Sequence, residues 1–124
     1  MTSAAELKGK KGLTRLINAL DYSRDGIRAA WQHEAAFRQE ILLAAITIPL
    51  ALYLGKTGVG RALMVGSILL ILIVEILNSA LEAVVDKASP EKNELAKRAK
   101  DMGSAAVLLS LINAAAVWIC VLWG

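Results

Sequence analysis

The sequence has a single cysteine, Cys120, which lies in an apolar run and has no partner in the chain. An intrachain disulfide is excluded, and there is no cysteine set to hold zinc. Histidine is equally scarce. His33-Glu34-Ala35-Ala36 begins like a zinc-protease helix, but Phe37 takes the place of the second histidine. Gly55-Lys56-Thr57 looks like the end of a phosphate-binding loop, yet the required first glycine falls at Leu50. Both motifs are rejected. No early apolar segment with a small-residue cleavage site is found, so no cleaved signal peptide is expected. There is also no internal repeat of the kind that marks inverted-repeat transporters.

What is present is hydrocarbon. Of 124 residues, 56% are hydrophobic and 20% charged, and the mean hydropathy is +0.54. That is too apolar and too segregated for a small soluble domain, and the expectation is one membrane domain over residues 1–124. The net charge of +3 is modest, but its placement is informative. Seven of the 14 Lys and Arg precede the first apolar run, two lie in residues 55–61, five in 86–101, and none beyond. The positive-inside rule then puts the N-terminus and the 86–101 connection in the cytoplasm and the C-terminus outside.

Along the chain, residues 1–11 form a short basic stretch expected to be mobile and drawn to anionic headgroups. Residues 12–34 read as an amphipathic interfacial helix, with Leu13, Leu16, Ile17 and Leu20 at i, i+3, i+4 and i+7. Tyr22–Gly26 reads as a turn or break within it. Residues 35–54 can span a membrane if Arg38 and Glu40 sit at headgroup level, with Pro49 expected to kink the helix. A tight loop over 55–61 leads to a second span, 62–85. Ser89-Pro90 is a helix start signal, serine as N-cap and proline first. A third span follows over 103–123, its Trp118 and Trp123 suiting an interfacial belt. The fold class is therefore an all-α integral membrane protein, a surface helix followed by three spans.

The second span carries the most informative pattern. Glu75, Asn78, Ser79, Glu82 and Asp86 stand at i, i+3, i+4, i+7 and i+11. At ~100° per residue they fall within roughly 100° of arc, one polar face on an apolar helix. An acid near the bilayer centre costs about 2.5–3.5 kcal/mol on the insertion scale, so these acids imply a protein-lined or watery cavity. The bland reading, acids that merely bridge helices in an oligomer, is weaker, since Asn or Ser usually serves there.

Lys97, Lys100, Asp101 and Ser104 repeat the same spacing on the next helix. Glu34, Glu75, Asn78, Glu82 and Asp101 offer hard oxygens or bases, and Lys100 and Arg15 offer cations, all near one interface. Carboxylates for Mg²⁺, cations for phosphates and a spare carboxylate as base are what phosphoryl transfer needs. Lys97 and Arg98 are read as headgroup snorkels. Three thin helices cannot enclose such a site alone, so oligomerisation is expected through Gly66, Ser67, Ala80, Gly103, Ser104 and Ala105. The residues alone leave open a transferase and a small proton-coupled transporter. A non-enzymatic adaptor would not need Glu75 and Glu82 buried.

Three motifs decide among these. Glu34-Ala35-Ala36-Phe37-Arg38-Gln39-Glu40, then Glu75 through Asp86, then Ala99-Lys100-Asp101-Met102-Gly103-Ser104-Ala105-Ala106 closely resemble the prokaryotic diacylglycerol kinase family of Gram-negative type. The resemblance runs from about Leu13 over nearly the whole chain. The related undecaprenol kinases share Glu75, Asn78 and Glu82 but are not expected to share the Glu34–Glu40 stretch.

The resemblance implies a homotrimeric enzyme of the bacterial inner membrane that transfers the ATP γ-phosphate to diacylglycerol, giving phosphatidic acid. It implies Glu75 as the base, Asn78 in support, and Glu34 and Glu82 as ligands of Mg²⁺. It implies nucleotide contacts from Arg15, Tyr22, Glu34, Glu82, Lys100 and Asp101. For the lipid it implies Arg15, Ser23, Trp31, Glu40, Glu75 and Ser104. No nucleic-acid partner is expected. Physical reasoning agrees on Glu75, the deeper acid, whose desolvation suits a base. Glu82 lies nearer the cytoplasm, where Mg-ATP arrives.

Overall fold

A computed structural model describes residues 4–124, with side chains from residue 11 onward. Four helices follow one another: α1 (Ala4–His33), α2 (Ala35–Leu54), α3 (Gly58–Ala88) and α4 (Glu94–Trp123). The protein is all-α, and α2, α3 and α4 are each long and apolar enough to cross a membrane. At 1.5 Å per residue, the 31 residues of α3 extend ~46 Å, so it outreaches a hydrocarbon core of about 30 Å.

Several boundaries differ from the sequence reading, each for a local reason. The expected break at Tyr22–Gly26 does not form; α1 is continuous to His33. Ser23 stays within the helix by donating its hydroxyl to Ala19 O at 2.7 Å, and Gly26 sits in open space. The basic lead-in is helical from Ala4, and residues 1–3 of that stretch lie outside the described residues. The loop after α2 is only Gly55–Thr57, because Thr57 caps α3 early, its hydroxyl accepting from Gly60 N at 3.0 Å.

Ser89-Pro90 does not start α4. Asn93 does, its Oδ1 accepting from Ala96 N at 2.8 Å, while Ser89 closes α3 with its N–H on Val85 O. Asn93 also donates to the Ser89 hydroxyl, which ties the two helix ends together. Helix α2 runs on through Pro49 to Leu54.

Helix α3 is the hub, packed along α4 on one side and α2 on the other. The α3–α4 pairing is antiparallel and its register can be read directly. Gly60 faces Val121, Trp118 reaches Met64 and Ser67, Gly103 faces Asn78, and Lys100 meets Asp86. Ala44, Ile68, Ile71 and Ala114 form the shared core, flanked by Ile48, Leu72 and Trp118. Small residues on α4, namely Gly103, Ser110 and Ala114, are buried and let the helices approach.

Ser67 and Gly103 are thus spent inside the chain, whereas Gly66, Ala80, Ser104 and Ala105 remain exposed in the single subunit. Trp118 is half-buried against the core, its indole N–H donating to Ser67 Oγ at 3.2 Å and Met64 O at 3.3 Å, while Trp123 is exposed.

Met64 is fully buried under this contact. In a bilayer the reference solvent is lipid, so the cost of truncation is lost packing rather than exposure to water. Met64→Ala is expected to destabilise the protein by about 2 kcal/mol, the low end for such core changes. Unfolding in mixed micelles measures it; an unchanged midpoint would remove Met64 from the α3–α4 lock.

Candidate functional site

The chain passes up α2, down α3 and up α4, so the α1–α2 corner and the α3–α4 turn lie at one end of the bundle. The acidic residues gather there. Glu75 is buried, 5% exposed, on the face of α3 that packs against its neighbours. Glu34, Glu82 and Glu40 are close enough for their charges to act on it or feel it. Like charges repel, so this group is arranged at a cost that helix packing alone does not require.

Asn78, one turn from Glu75, donates its Nδ2 to Glu82 Oε1 at 3.3 Å. Its Oδ1 is buried with no hydrogen-bond partner. The oxygen is directed at Gly103 of α4, where any Cβ would overlap it. Glycine inside a helix costs about 1 kcal/mol against alanine, so here it makes room for an amide. Glu40, on α2, likewise keeps a buried Oε2 without a partner. Two unpartnered acceptors beside a buried acid mark a site built for something other than its own stability.

Glu34 is the one residue between α1 and α2. Its backbone is extended (φ −119°, ψ 108°) and its carboxylate makes no capping hydrogen bond. Among the described residues its oxygens have no hydrogen-bond partner, and they lie half-buried within electrostatic range of Glu75. Arg38, one turn into α2, donates to Trp31 O at 2.7 Å and Gln32 O at 3.4 Å.

At the turn, Lys100 Nζ of α4 meets Asp86 Oδ1 of α3 at 2.5 Å, and Lys97 pairs with Asp101 at 2.6 Å on α4 itself. Both lysines are pushed above the ordinary 10.5, chiefly by these hydrogen bonds to Asp101 and Asp86. A lysine so raised lends its stabilisation below 10.5 and loses it as pH climbs through the folded value, so both pairs persist at neutral pH. An open groove of about 750 Å³ runs beside them, bordered by Val85, Pro90, Asn93 and Lys97 among others.

The structure thus brings together Glu34, Glu40, Glu75, Asn78 and Glu82, with Lys100 one turn further along. Asp101 and Ser104 are exposed on α4, Asp101 beside the groove. Arg15, Tyr22, Ser23 and Trp31 lie on exposed faces of α1. Among the described residues they make no side-chain hydrogen bond or ion pair to the acidic group. Three contacts were not read from sequence: the Gly103 notch, the Asp86–Lys100 pair and the Arg38 clamp. A glycine within an otherwise helical stretch was the available signal for the first.

No three His, Cys, Asp or Glu side chains among the described residues converge tightly enough to enclose a metal by themselves. The hard oxygens at this end are the carboxylates of Glu34 and Glu82 and the unpartnered Oδ1 of Asn78. That fits Mg²⁺, which keeps waters or substrate phosphates in most of its positions.

The fold is that of a small all-helical protein with three helices apolar enough to cross a membrane and its acidic side chains gathered at one end of the bundle. Its family can be named. Residues 21–122 match the family model described as prokaryotic diacylglycerol kinase. The chain is 51% identical over 112 residues to the diacylglycerol kinase of Escherichia coli strain K12, covering 90% of this chain and 92% of that one. Against that of Pseudomonas aeruginosa it is 48% identical over 122 residues, 98% and 99% of the two chains. Against that of Haemophilus influenzae it is 49% identical over 107 residues, 86% and 91%. The chain belongs to the prokaryotic diacylglycerol kinase family.

The notch at Gly103 carries a direct test. Gly103→Val is expected to cost about 1–3 kcal/mol through overpacking against Asn78 and Leu81. Asn78→Ala in the same chain should recover part of it. Additive losses in that pair would show that Gly103 and Asn78 do not meet.

Proposed function

We propose that this enzyme phosphorylates diacylglycerol at the membrane surface, moving the γ-phosphate of ATP to the free hydroxyl and releasing phosphatidic acid and ADP. The observation that supports it most is the buried carboxylate of Glu75 beneath Asn78, Glu82 and Lys100, in a chain of the diacylglycerol kinase family. A buried carboxylate surrounded by acids is suited to take a proton from an alcohol that enters from the lipid side.

In this reading Glu75 accepts the hydroxyl proton as the lipid oxygen attacks the γ-phosphorus in line. The bond from the γ-phosphorus to the bridging oxygen breaks, and that oxygen leaves with ADP. No phosphoenzyme forms. Lys100 turns from Asp86 to the phosphates; a solvent-screened ion pair holds its partners weakly, so the exchange is cheap. Asn78 supports Glu82, donating its Nδ2 to Oε1. Glu34 and Glu82 would hold Mg²⁺, which supplies charge neutralisation on the phosphates.

Asp101 would take the sugar of the nucleotide at the groove. Arg15 and Tyr22 would close over it as α1 settles. Glu40, Ser23, Trp31 and Ser104 would border the glycerol end of the lipid. The charge asymmetry supports an inner-membrane orientation with this end cytoplasmic and the C-terminus periplasmic. The exposed small residues of α3 and α4 support assembly into a trimer, which would cover a site that one chain leaves open. The domain is single, residues 1–124.

ATP-dependent phosphorylation of diacylglycerol and of undecaprenol, side by side in micelles with Mg²⁺, tests the acceptor. Turnover of diacylglycerol is expected to dominate. Turnover of undecaprenol alone would assign the same chemistry to the other lipid. No turnover of either by folded, oligomeric protein would sink the kinase reading.

Glu82→Gln should leave the oligomer intact and raise the Mg²⁺ needed for half-maximal rate by about tenfold or more, the usual scale for a lost outer or inner ligand contact. An unchanged Mg²⁺ dependence would take Glu82 out of the metal set.

A further inference from the structure

One side chain bonds across the corner between α1 and α2. Helix α1 ends at His33, and its last carbonyls have no partners within the helix. Glu34 N takes Ala30 O at 2.9 Å. The next two, Trp31 O and Gln32 O, both accept from the Arg38 guanidinium, at 2.7 and 3.4 Å. Arg38 in turn sits on the first turn of α2, its own N–H on Glu34 O at 3.3 Å. The guanidinium therefore reaches back over Glu34 and ties one helix to the other. A cation at this place also meets the negative end of the α1 dipole.

Ala30 and Phe37 are buried on either side of the corner, which anchors each helix against the bundle. Between them Glu34 has an extended backbone and a carboxylate with no cap to make. Among the described residues, no hydrogen bond from its own side chain holds it in place. Its direction depends on the angle at which α1 leaves α2, and the Arg38 hydrogen bonds cross that angle.

We infer that Arg38 is a positioning residue for the reaction: by clamping Trp31 O and Gln32 O it fixes the α1–α2 corner so that the Glu34 carboxylate faces the Glu75 site. It touches neither phosphate nor metal. The inference rests on the reading of Glu34 as a metal ligand in the proposed function. It differs from a role for Arg38 in holding the lipid headgroup, which its interfacial place would also allow.

The test is Mn²⁺ binding, followed by the electron paramagnetic resonance signal of free Mn²⁺, by full-length protein in micelles with a non-hydrolysable ATP analogue. Arg38→Gln and Arg38→Lys are compared with Glu34→Gln and the unaltered chain. Glu34→Gln should weaken Mn²⁺ binding, which checks the underlying reading independently. Arg38→Gln is expected to weaken it about tenfold and to lower kcat, while KM for diacylglycerol moves by less than about twofold.

Arg38→Lys, which keeps the cation but places it on a more flexible stem without the planar guanidinium, should fall between Arg38→Gln and the unaltered chain, and it carries the test if Arg38→Gln does not fold. Unchanged Mn²⁺ affinity in a folded Arg38 variant with a raised KM for diacylglycerol would overturn the inference and make Arg38 a lipid contact. Unchanged affinity in Glu34→Gln would instead remove the metal role of Glu34, and the positioning role with it.

Discussion

The cost of burying the Glu75 carboxylate is the constraint on which the rest of this structure depends. An acid at that depth is expensive in a bilayer and more so when other acids stand near it. It is tolerated only where protein, not lipid, surrounds it. Helix α3 meets that condition by lying between α2 and α4, with Glu75 on its packed face, Glu82 beside it on α3, Glu40 on α2 and Glu34 at the α1–α2 corner. The polar end of the bundle is assembled around this one group.

Two different devices hold α3 to α4 on either side of it. Away from the acids, Trp118 locks onto Met64 and Ser67 by packing and hydrogen bonds, a rigid contact with its polar atoms satisfied. Near the acids, the helices meet through Gly103, which has no side chain, and through the exposed Asp86–Lys100 pair, which is cheap to break. The tight end supplies stability. The loose end leaves Asn78 and Lys100 free to change partners, which phosphate binding at this site would require.

Much of this was legible in the sequence because it depends on helical period and charge. Three apolar runs gave three helices, and the spacing of Glu75, Asn78, Ser79, Glu82 and Asp86 gave their common face. Competing caps were less legible. Ser89-Pro90 has a good start signal, but Asn93 captures the helix by reaching Ala96 N, and only three-dimensional placement decides between them. Tyr22–Gly26 reads as a break, yet nothing crowds Gly26 and Ser23 bonds back to its own helix, so α1 runs on. The cross-helix contacts of Gly103, Asp86 and Trp118 depend on register, which no single helix reveals. Arg38 was read only as a headgroup-level charge, because its partners are carbonyls that any sequence would supply.

The central claim is that Glu75 takes the proton in a direct transfer, and Glu75→Gln in a single-turnover reaction tests it most directly. The amide keeps the volume and the packing but cannot accept the proton. With nucleotide binding measured separately, the phosphoryl-transfer rate should fall by about 10²–10⁴-fold while ATP affinity stays near that of the unaltered protein. A rate within about tenfold of the original, by folded protein that binds ATP normally, would contradict the account and place the base elsewhere in the acidic group.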